Sequence, residues 1–367
     1  MLVLGFMTGT SLDAVDMAVL DTDGEAIFAF GPAGERKLTD ATRDVVLEAT
    51  RQALAWERGT PEPAIFRHAA EMVAEEHFAA AEAFLQANDL SWPDLDLIGM
   101  HGQTVLHERP SEGVPGRSVQ LGDAEVLARL TGRPVAYDFR TADMAAGGEG
   151  APLAAAYHVA RARASKLAPP LAVLNVGGVA NVTWWAGGDD FTAFDTGPGN
   201  GMLDLLVQAR GAGRFDVGGK YASVGRADEG VVRALLAHPY FQGPPPKSLD
   251  RYDFSLEPLD GLQLEDAAAT LVAFTAEAVK LAFDTLGQPN EVIVTGGGRL
   301  NPEIMKALSE RLSAPVKAAE ERGWRGDSIE AEAFAYLAAR VKRGLPITFP
   351  KTTGVAKPMT GGRIVRP

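Results

Sequence analysis

The sequence predicts an α/β protein built from two duplicated domains facing each other across a central cleft, and three observations lead there. At 367 residues the chain is too long for one ordinary core and suits two domains of similar size. Each half opens with strand, glycine-bearing turn, strand, turn, strand, and then runs into helices. A glycine-rich stretch, Ala145-Ala146-Gly147-Gly148-Glu149-Gly150, lies near the middle and reads as a join. The expected division is 1–140, joined by the C-terminal tail, and 141–350.

In the first half, Leu2 to Phe6 and Val15 to Leu20 are apolar runs separated by the small, polar stretch from Thr8 to Asp13. A third strand is expected over 26–30. Helices follow at about 40–55 and 62–88, the second carrying Phe66, Ala69, Val73, Phe78, Ala81 and Phe84 at spacings of three to five. A strand over 95–100, a helix over 122–131 and a strand over 134–137 complete this half. The second half repeats the opening with strands over 171–175, 179–184 and 191–195. Later come a strand over 291–295, a helix from Pro302, another over 327–341, and a coil-like tail from Thr352.

Composition excludes several classes of function. Apolar residues make up 46% of the chain, enough for two buried cores. The net charge of -13 argues against a nucleic-acid protein, which depends on a basic face. An anionic nucleotide remains compatible, because backbone amides and a metal ion can hold phosphates in an acidic protein. With no cysteine, the chain can have no disulfide scaffold, thiolate nucleophile or cysteine zinc site. The opening residues lack the basic start and apolar core of a signal peptide, and no stretch reaches the roughly 20 apolar residues of a membrane helix. The expected location is the cytoplasm, away from the membrane.

Two glycine hairpins are the leading candidates for phosphate contact. In the first, Gly5-Phe6-Met7-Thr8-Gly9-Thr10-Ser11-Leu12-Asp13, small residues between strands let amides and hydroxyls approach a phosphate, and Gly9 permits a conformation that a Cβ would block. No Gly-Lys-Ser/Thr follows, so this is not a Walker loop. Phosphate binding on a hairpin points instead to an actin-like, ribonuclease H-like domain. The second hairpin, Asn175-Val176-Gly177-Gly178, stands at the equivalent place in the second half. Either could be an ordinary turn.

Other segments carry side-chain chemistry. In Phe194-Asp195-Thr196-Gly197-Pro198-Gly199-Asn200 an apolar strand ends at an acid before a helix. Asp195 can be a general base, a ligand of metal-bound water, or the cap of that helix. His101, Gly102 and Gln103 follow an apolar strand and can bond sugar hydroxyls, though a histidine there can equally be structural. Gly296-Gly297-Gly298 after a buried strand would let a flat ring lie on the backbone, or serve as a turn. Asp327 and Glu330 have the spacing of a capping box. Pro244-Pro245-Pro246-Lys247-Ser248, followed by Asp250-Arg251-Tyr252, is a stiff loop whose cations either face phosphate or simply space the chain.

Taken in order, GFMTGTSLDAVD, HGQTVLH, QLGDAEVLA, DFRTADMAAGGEGAPL, LNVGGVANVT, FDTGPGN, PPPKS, VTGGG and GDSIEAEAFA resemble the anhydro-N-acetylmuramic acid kinases. These are cell-wall recycling enzymes of the acetate and sugar kinase, chaperone and actin superfamily. The pieces span residue 5 to about 335. Thr8 stands where the family usually has serine, and Ala14 where glycine is usual.

The resemblance implies an ATP-dependent kinase with Mg2+, ATP lying between the lobes. Gly9, Thr10, Ser11, Leu12, Asp13, Ala14, Val15 and Asp16 would lie near its phosphates. Asn175, Gly177, Gly178, Gly296, Gly297 and Gly298 complete the expected nucleotide set. It implies that Asp195 is the catalytic carboxylate and Glu330 a second acid near the substrate. His101, Gly102, Gln103, Arg140 and Asp143 match the sugar side. Protein ligands of the metal stay unassigned, since it would be held mainly through ATP phosphates, and a homodimer is the family expectation. The competing expectations are a kinase for another 1,6-anhydro sugar such as levoglucosan, a non-catalytic nucleotide-binding regulator, and a plain hydrolase.

Overall fold

The structure, a computed structural model, describes all residues except Thr10, Glu112 and 250–252. The chain opens with β1 (Leu2–Thr8), β2 (Ala14–Thr22) and β3 (Ile27–Lys37), then α1 (Asp40–Leu54) and α2 (Ile65–Ala87). Next come β4 (Leu97–Glu108), β5 (Arg117–Leu121), α3 (Ala124–Thr131), β6 (Val135–Tyr137), α4 (Thr141–Ala145) and α5 (Ala155–Ala164). A second series follows: β7 (Leu171–Val176), β8 (Val179–Gly187), β9 (Asp190–Pro198), α6 (Asn200–Ala209), α7 (Glu229–Leu236), α8 (Leu264–Leu286), β10 (Glu291–Thr295), α9 (Pro302–Arg311) and β11 (Val316–Ala318). The chain finishes with α10 (Ile329–Arg343), α11 (Pro350–Thr353) and β12 (Arg363–Val365).

Two sheets repeat one plan. The first has the order β12-β6-β4-β1-β2-β3, with β5 paired to β4; the second has β11-β10-β7-β8-β9. In each, the opening three strands form an antiparallel meander, and the next two join parallel to the first strand's outer side. This shared order identifies the duplication and is the actin-like, ribonuclease H-like arrangement expected from the sequence.

Contacts divide the chain into two compact units, Met1–Ala164 with Ser328–Pro367, and Ser165–Asp327. The sequence expectation placed the division at 140/141 and 350, with the glycine-rich 145–150 stretch as the join. That stretch instead folds within the first unit, where Glu149 N–H donates to the Thr353 carbonyl at 2.7 Å. The tail, expected as coil, pairs β12 antiparallel with β6.

Strand alternation explains how α10 reaches the first sheet. Leu4, Phe6, Ile98 and Met100 point into a core shared with Ala81 and Leu85 of α2 and Leu127 of α3. Gly5 and Gly99, paired side by side between those residues, face the opposite way. A Cβ on Gly5 would lie 2.0 Å from the Ala331 carbonyl oxygen, and one on Gly99 would lie 2.3 Å from that of Phe334. The backbone of α10 therefore rests directly on the sheet. Gly99→Val should cost about 3 kcal/mol, the upper end for overpacking, because backbone would have to move. A melting temperature equal to the wild type would contradict this contact.

The second unit's core joins Leu174, Val176, Val182, Phe194, Val292 and Val294 to Met202 and Leu206 of α6, Leu271 and Phe274 of α8 and Ile304 of α9. Among the described residues, no helix is long and apolar enough to cross a membrane.

Candidate functional site

The hairpin between β1 and β2 is anchored from below. Thr8 pairs with Val15 and Met7 with Asp16 across it. Leu12 takes a left-handed φ of 55° and buries its side chain beside Val46, Phe66 and Val105. Its N–H donates to the Gly9 carbonyl at 3.1 Å. Gly9 differs from expectation: its φ is ordinary, and a Cβ there would meet nothing nearer than Ser11 Oγ at 3.5 Å. The strained position is Leu12, whose apolar anchor holds it there. Leu12 and Val15 are core residues, so only their backbone can serve a ligand, whereas Ser11 and Asp13 are exposed and Ala14 and Asp16 half-buried. Thr10 lies outside the described residues. Beneath the turn, His77 Nδ1 donates to the Val73 carbonyl at 2.6 Å, so its Nε2 accepts from the Thr8 hydroxyl at 3.1 Å.

A second polar group in the same unit surrounds the end of β4. His101, buried against Phe334, has both ring nitrogens engaged. Nδ1 donates to the Gly102 carbonyl at 2.8 Å, and Nε2 accepts from Arg140 Nε at 3.1 Å and Nη2 at 3.0 Å. Burial, then the neighbouring Arg140 charge, holds His101 well below the usual histidine range, so it is a neutral acceptor. Arg140 Nη1 also donates to the Gly150 carbonyl at 2.5 Å. Gly102 has a φ of +78° and comes close to Leu121. Gln103 is buried, and its Oε1 has no hydrogen-bond partner among the described residues. Asp143 instead braces its own turn: Oδ2 accepts from Gly150 N–H at 2.8 Å and Oδ1 from the Thr353 hydroxyl at 2.6 Å.

Glu330 stands in the first turn of α10, exposed at its surface yet surrounded by enough protein that desolvation raises its carboxyl, with Arg140 opposing. The capping-box expectation fails here. Ser328 occupies the cap position without a side-chain bond, and Asp327 pairs with Arg299 Nη2 at 2.8 Å.

In the second unit, three glycine segments far apart in sequence form one assembly. The Gly177 carbonyl accepts from Asn200 N–H at 2.7 Å, and the Gly178 carbonyl from Gly199 and Gly201, each at 3.0 Å. Gly296, with φ +73°, turns so tightly that a Cβ would lie 2.3 Å from Asn175 Oδ1. One on Gly298 would lie 2.3 Å from Val176 Cγ1. Gly178 has neither constraint: its φ is ordinary and no heavy atom lies within 4 Å of its absent Cβ. Gly297 is exposed and similarly open, with Asn200 Nδ2 nearest at 3.6 Å. Bare backbone is thus presented at Gly178 and Gly297, and separately at Gly9 in the first unit, where packing does not demand a glycine. Arg299, unmarked in the sequence, ties this assembly to the 320–327 segment by donating to the Gly296 carbonyl at 3.0 Å and to Glu320 at 2.8 Å.

Asp195 lies within β9, not at its end as expected, and it does not cap α6, whose N-cap is Gly199 without a side-chain bond. It pairs with Asn181, and the register shifts beside it, a bulge of the kind that re-aims side chains. Strand β9 is the sheet edge, so the outer backbone groups of Asp195 need partners from elsewhere. Its N–H donates to the Lys247 carbonyl at 3.0 Å, and its carbonyl accepts from the Tyr240 hydroxyl. Its Oδ2 accepts from Leu249 N–H at 2.7 Å. A charge-assisted bond of this kind holds a carboxylate in one orientation. Of the two readings of this loop, cations on phosphate or a plain spacer, neither describes Lys247, which turns inward with two bonds from Nζ to main-chain carbonyls; Arg251 lies outside the described residues.

The full chain, residues 1–367, matches the family model described as anhydro-N-acetylmuramic acid kinase. A protein of that name from Phenylobacterium zucineum is 78% identical over the whole of both chains. Another from Caulobacter vibrioides is 68% identical, over 100% of this chain and 99% of the relative. A third, from Rhizobium rhizogenes, is 48% identical over 98% of each.

Proposed function

This chain belongs to the anhydro-N-acetylmuramic acid kinase family, and from that membership we propose that it opens the 1,6-anhydro ring of anhydro-N-acetylmuramic acid with water and phosphorylates O6 from ATP. The products are N-acetylmuramic acid 6-phosphate and ADP, and the work is done in the cytoplasm, in cell-wall recycling. The observation that carries the reading is Asp195, a carboxylate inside a strand whose orientation is held by a backbone N–H and not spent on a helix cap.

The chemistry assigns the roles. In a 1,6-anhydro sugar O6 is bonded to C1 and is not free to accept a phosphoryl group. Asp195 takes a proton from water as the water's oxygen attacks C1. The C1–O6 bond breaks, O6 attacks the γ-phosphorus, and the β–γ bridging oxygen leaves with ADP. An inverting glycosidase needs a separate acid to protonate its leaving oxygen; here the phosphoryl group captures that oxygen, so one base suffices. Glu330 helps to hold the water or sugar, and Arg140 supplies positive charge for the lactyl carboxylate. Gln103 Oε1 accepts from a sugar hydroxyl, which would give that buried atom its missing partner. His101 and Asp143 hold Arg140 and its loop in place.

The assignment puts the phosphates on the 9–16 hairpin and on Gly177 and Gly178, and the adenine on 296–298. Held mainly through the ATP phosphates, with no protein ligand assigned, a magnesium ion would supply positive charge that offsets the charge developing in the transfer. Phosphorus NMR of the protein with ATP, magnesium and anhydro-N-acetylmuramic acid should show a sugar 6-phosphate growing as ADP appears. ADP formation without that ester, or equal turnover of levoglucosan, would overturn the substrate assignment.

A further inference from the structure

We propose that Lys247 is a positioning residue for Asp195, closing the 240–249 loop so that the loop grips Asp195 at its N–H, its carbonyl and its carboxylate. The proposal rests on the reading of Asp195 as the base. Lys247 is half-buried, and its ammonium donates to the Tyr240 carbonyl at 2.8 Å and the Gly243 carbonyl at 2.9 Å. Its Nζ also sits 4.4 Å from the centre of the Tyr240 ring. Among the described residues no carboxylate pairs with it. A cation meant for phosphate would be left pointing outward, whereas this one is folded back on its own loop, where desolvation lowers its pKa.

The consequence falls on three bonds. With Lys247 tying residues 240 and 243 to 247, the Tyr240 hydroxyl reaches the Asp195 carbonyl, the Lys247 carbonyl meets the Asp195 N–H, and Leu249 N–H meets Oδ2. The first two of these bonds satisfy the outer edge of β9 at the position where the bulge re-aims the strand, and the third holds the carboxylate. Without the ammonium, the two carbonyls lose a charged donor and the loop is released at both ends.

Lys247→Met keeps the apolar stem and removes the donors. It should lower kcat by about 10- to 100-fold, the scale for an ångström of misplacement, while KM for ATP and sugar stays within about twofold. Lys247→Arg, which can reach the same carbonyls, should recover most of the loss. Hydrogen exchange at the Leu249 amide should quicken at least about tenfold in Lys247→Met, with the amides of β7 unchanged. A raised KM for ATP with kcat intact would overturn the proposal, placing the lysine on phosphate. So would unchanged exchange at Leu249. If Lys247→Met does not fold, Tyr240→Phe removes one of the three bonds alone, and wild-type kcat there would equally count against the proposal. The exchange measurement does not depend on the chemistry: an Asp195→Asn variant with normal turnover would discard the base while leaving the grip to be judged by exchange.

Discussion

Asp195→Asn should lower kcat by about 10²- to 10⁴-fold, the usual contribution of a positioned base, while ATP still binds. The substitution is nearly isosteric, and the new amide oxygen can still accept the Leu249 N–H that Oδ2 accepts at 2.7 Å. The backbone bonds to Lys247 and Tyr240 do not involve the side chain and should persist. What disappears is the capacity to take a proton from water. Binding calorimetry with ATP should therefore match the wild type, and a coupled assay for ADP should show the loss. A rate near wild type would remove Asp195 from the chemistry. Had the side chain capped α6, the same substitution would have acted on stability; a melting temperature lowered by several degrees would favour that structural role.

Acid should unfold the first unit before the second. His77, His101, His107 and His158 all lie in the first unit, and each is held neutral. Burial pulls His77, His107 and His158 down to about 4, and His101 falls well below the ordinary value. Arg140 adds to the depression at His101 and His107, as Arg109 does at His107, while Glu76 opposes it at His77. Between about 4 and 6.5 the unfolded chain binds protons that the folded chain refuses. Stability is thus fully present above about 6.5 and drains away as pH falls through that window. For the deeply buried His77 and His158 the loss is on the order of 3 kcal/mol each across the whole window. Denaturant titrations at pH 7 and pH 5, with hydrogen exchange reporting on each sheet, should show β4 and α2 losing protection while β7 and β10 keep it. Equal loss in both units would contradict the assignment. His77→Gln, which can keep the bond to Thr8 without titrating, should reduce the pH dependence.

Much of the architecture was legible because it is local. Short apolar runs set off by glycine-bearing turns mark the opening strands of each half, and the period of Phe66 to Phe84 marks α2. Helix α8 escapes such a reading because it is buried on nearly every side, from Ala267 to Phe283, so no polar stripe sets its period. Strand β5 is half-exposed and short, and its place is set by pairing with β4. The unit boundaries escaped for another reason: α10 belongs to the first unit through the bare backbone at Gly5 and Gly99, a contact made by strands more than 200 residues away.

The order of nine short motifs was enough, on sequence alone, to identify the family and nominate Asp195, Glu330 and the glycine turns. Sequence could not say what each side chain is doing. Whether Asp195 caps a helix, whether His101 is free, whether Asp143 faces ligand or turn, and where Lys247 points are all decided by hydrogen-bond partners. Those partners come from other segments: Leu249 for Asp195, Arg140 for His101, Thr353 for Asp143. A residue's type sets which bonds it can make, but a buried polar group must be satisfied by whatever the fold brings near it, and that is a property of the tertiary structure.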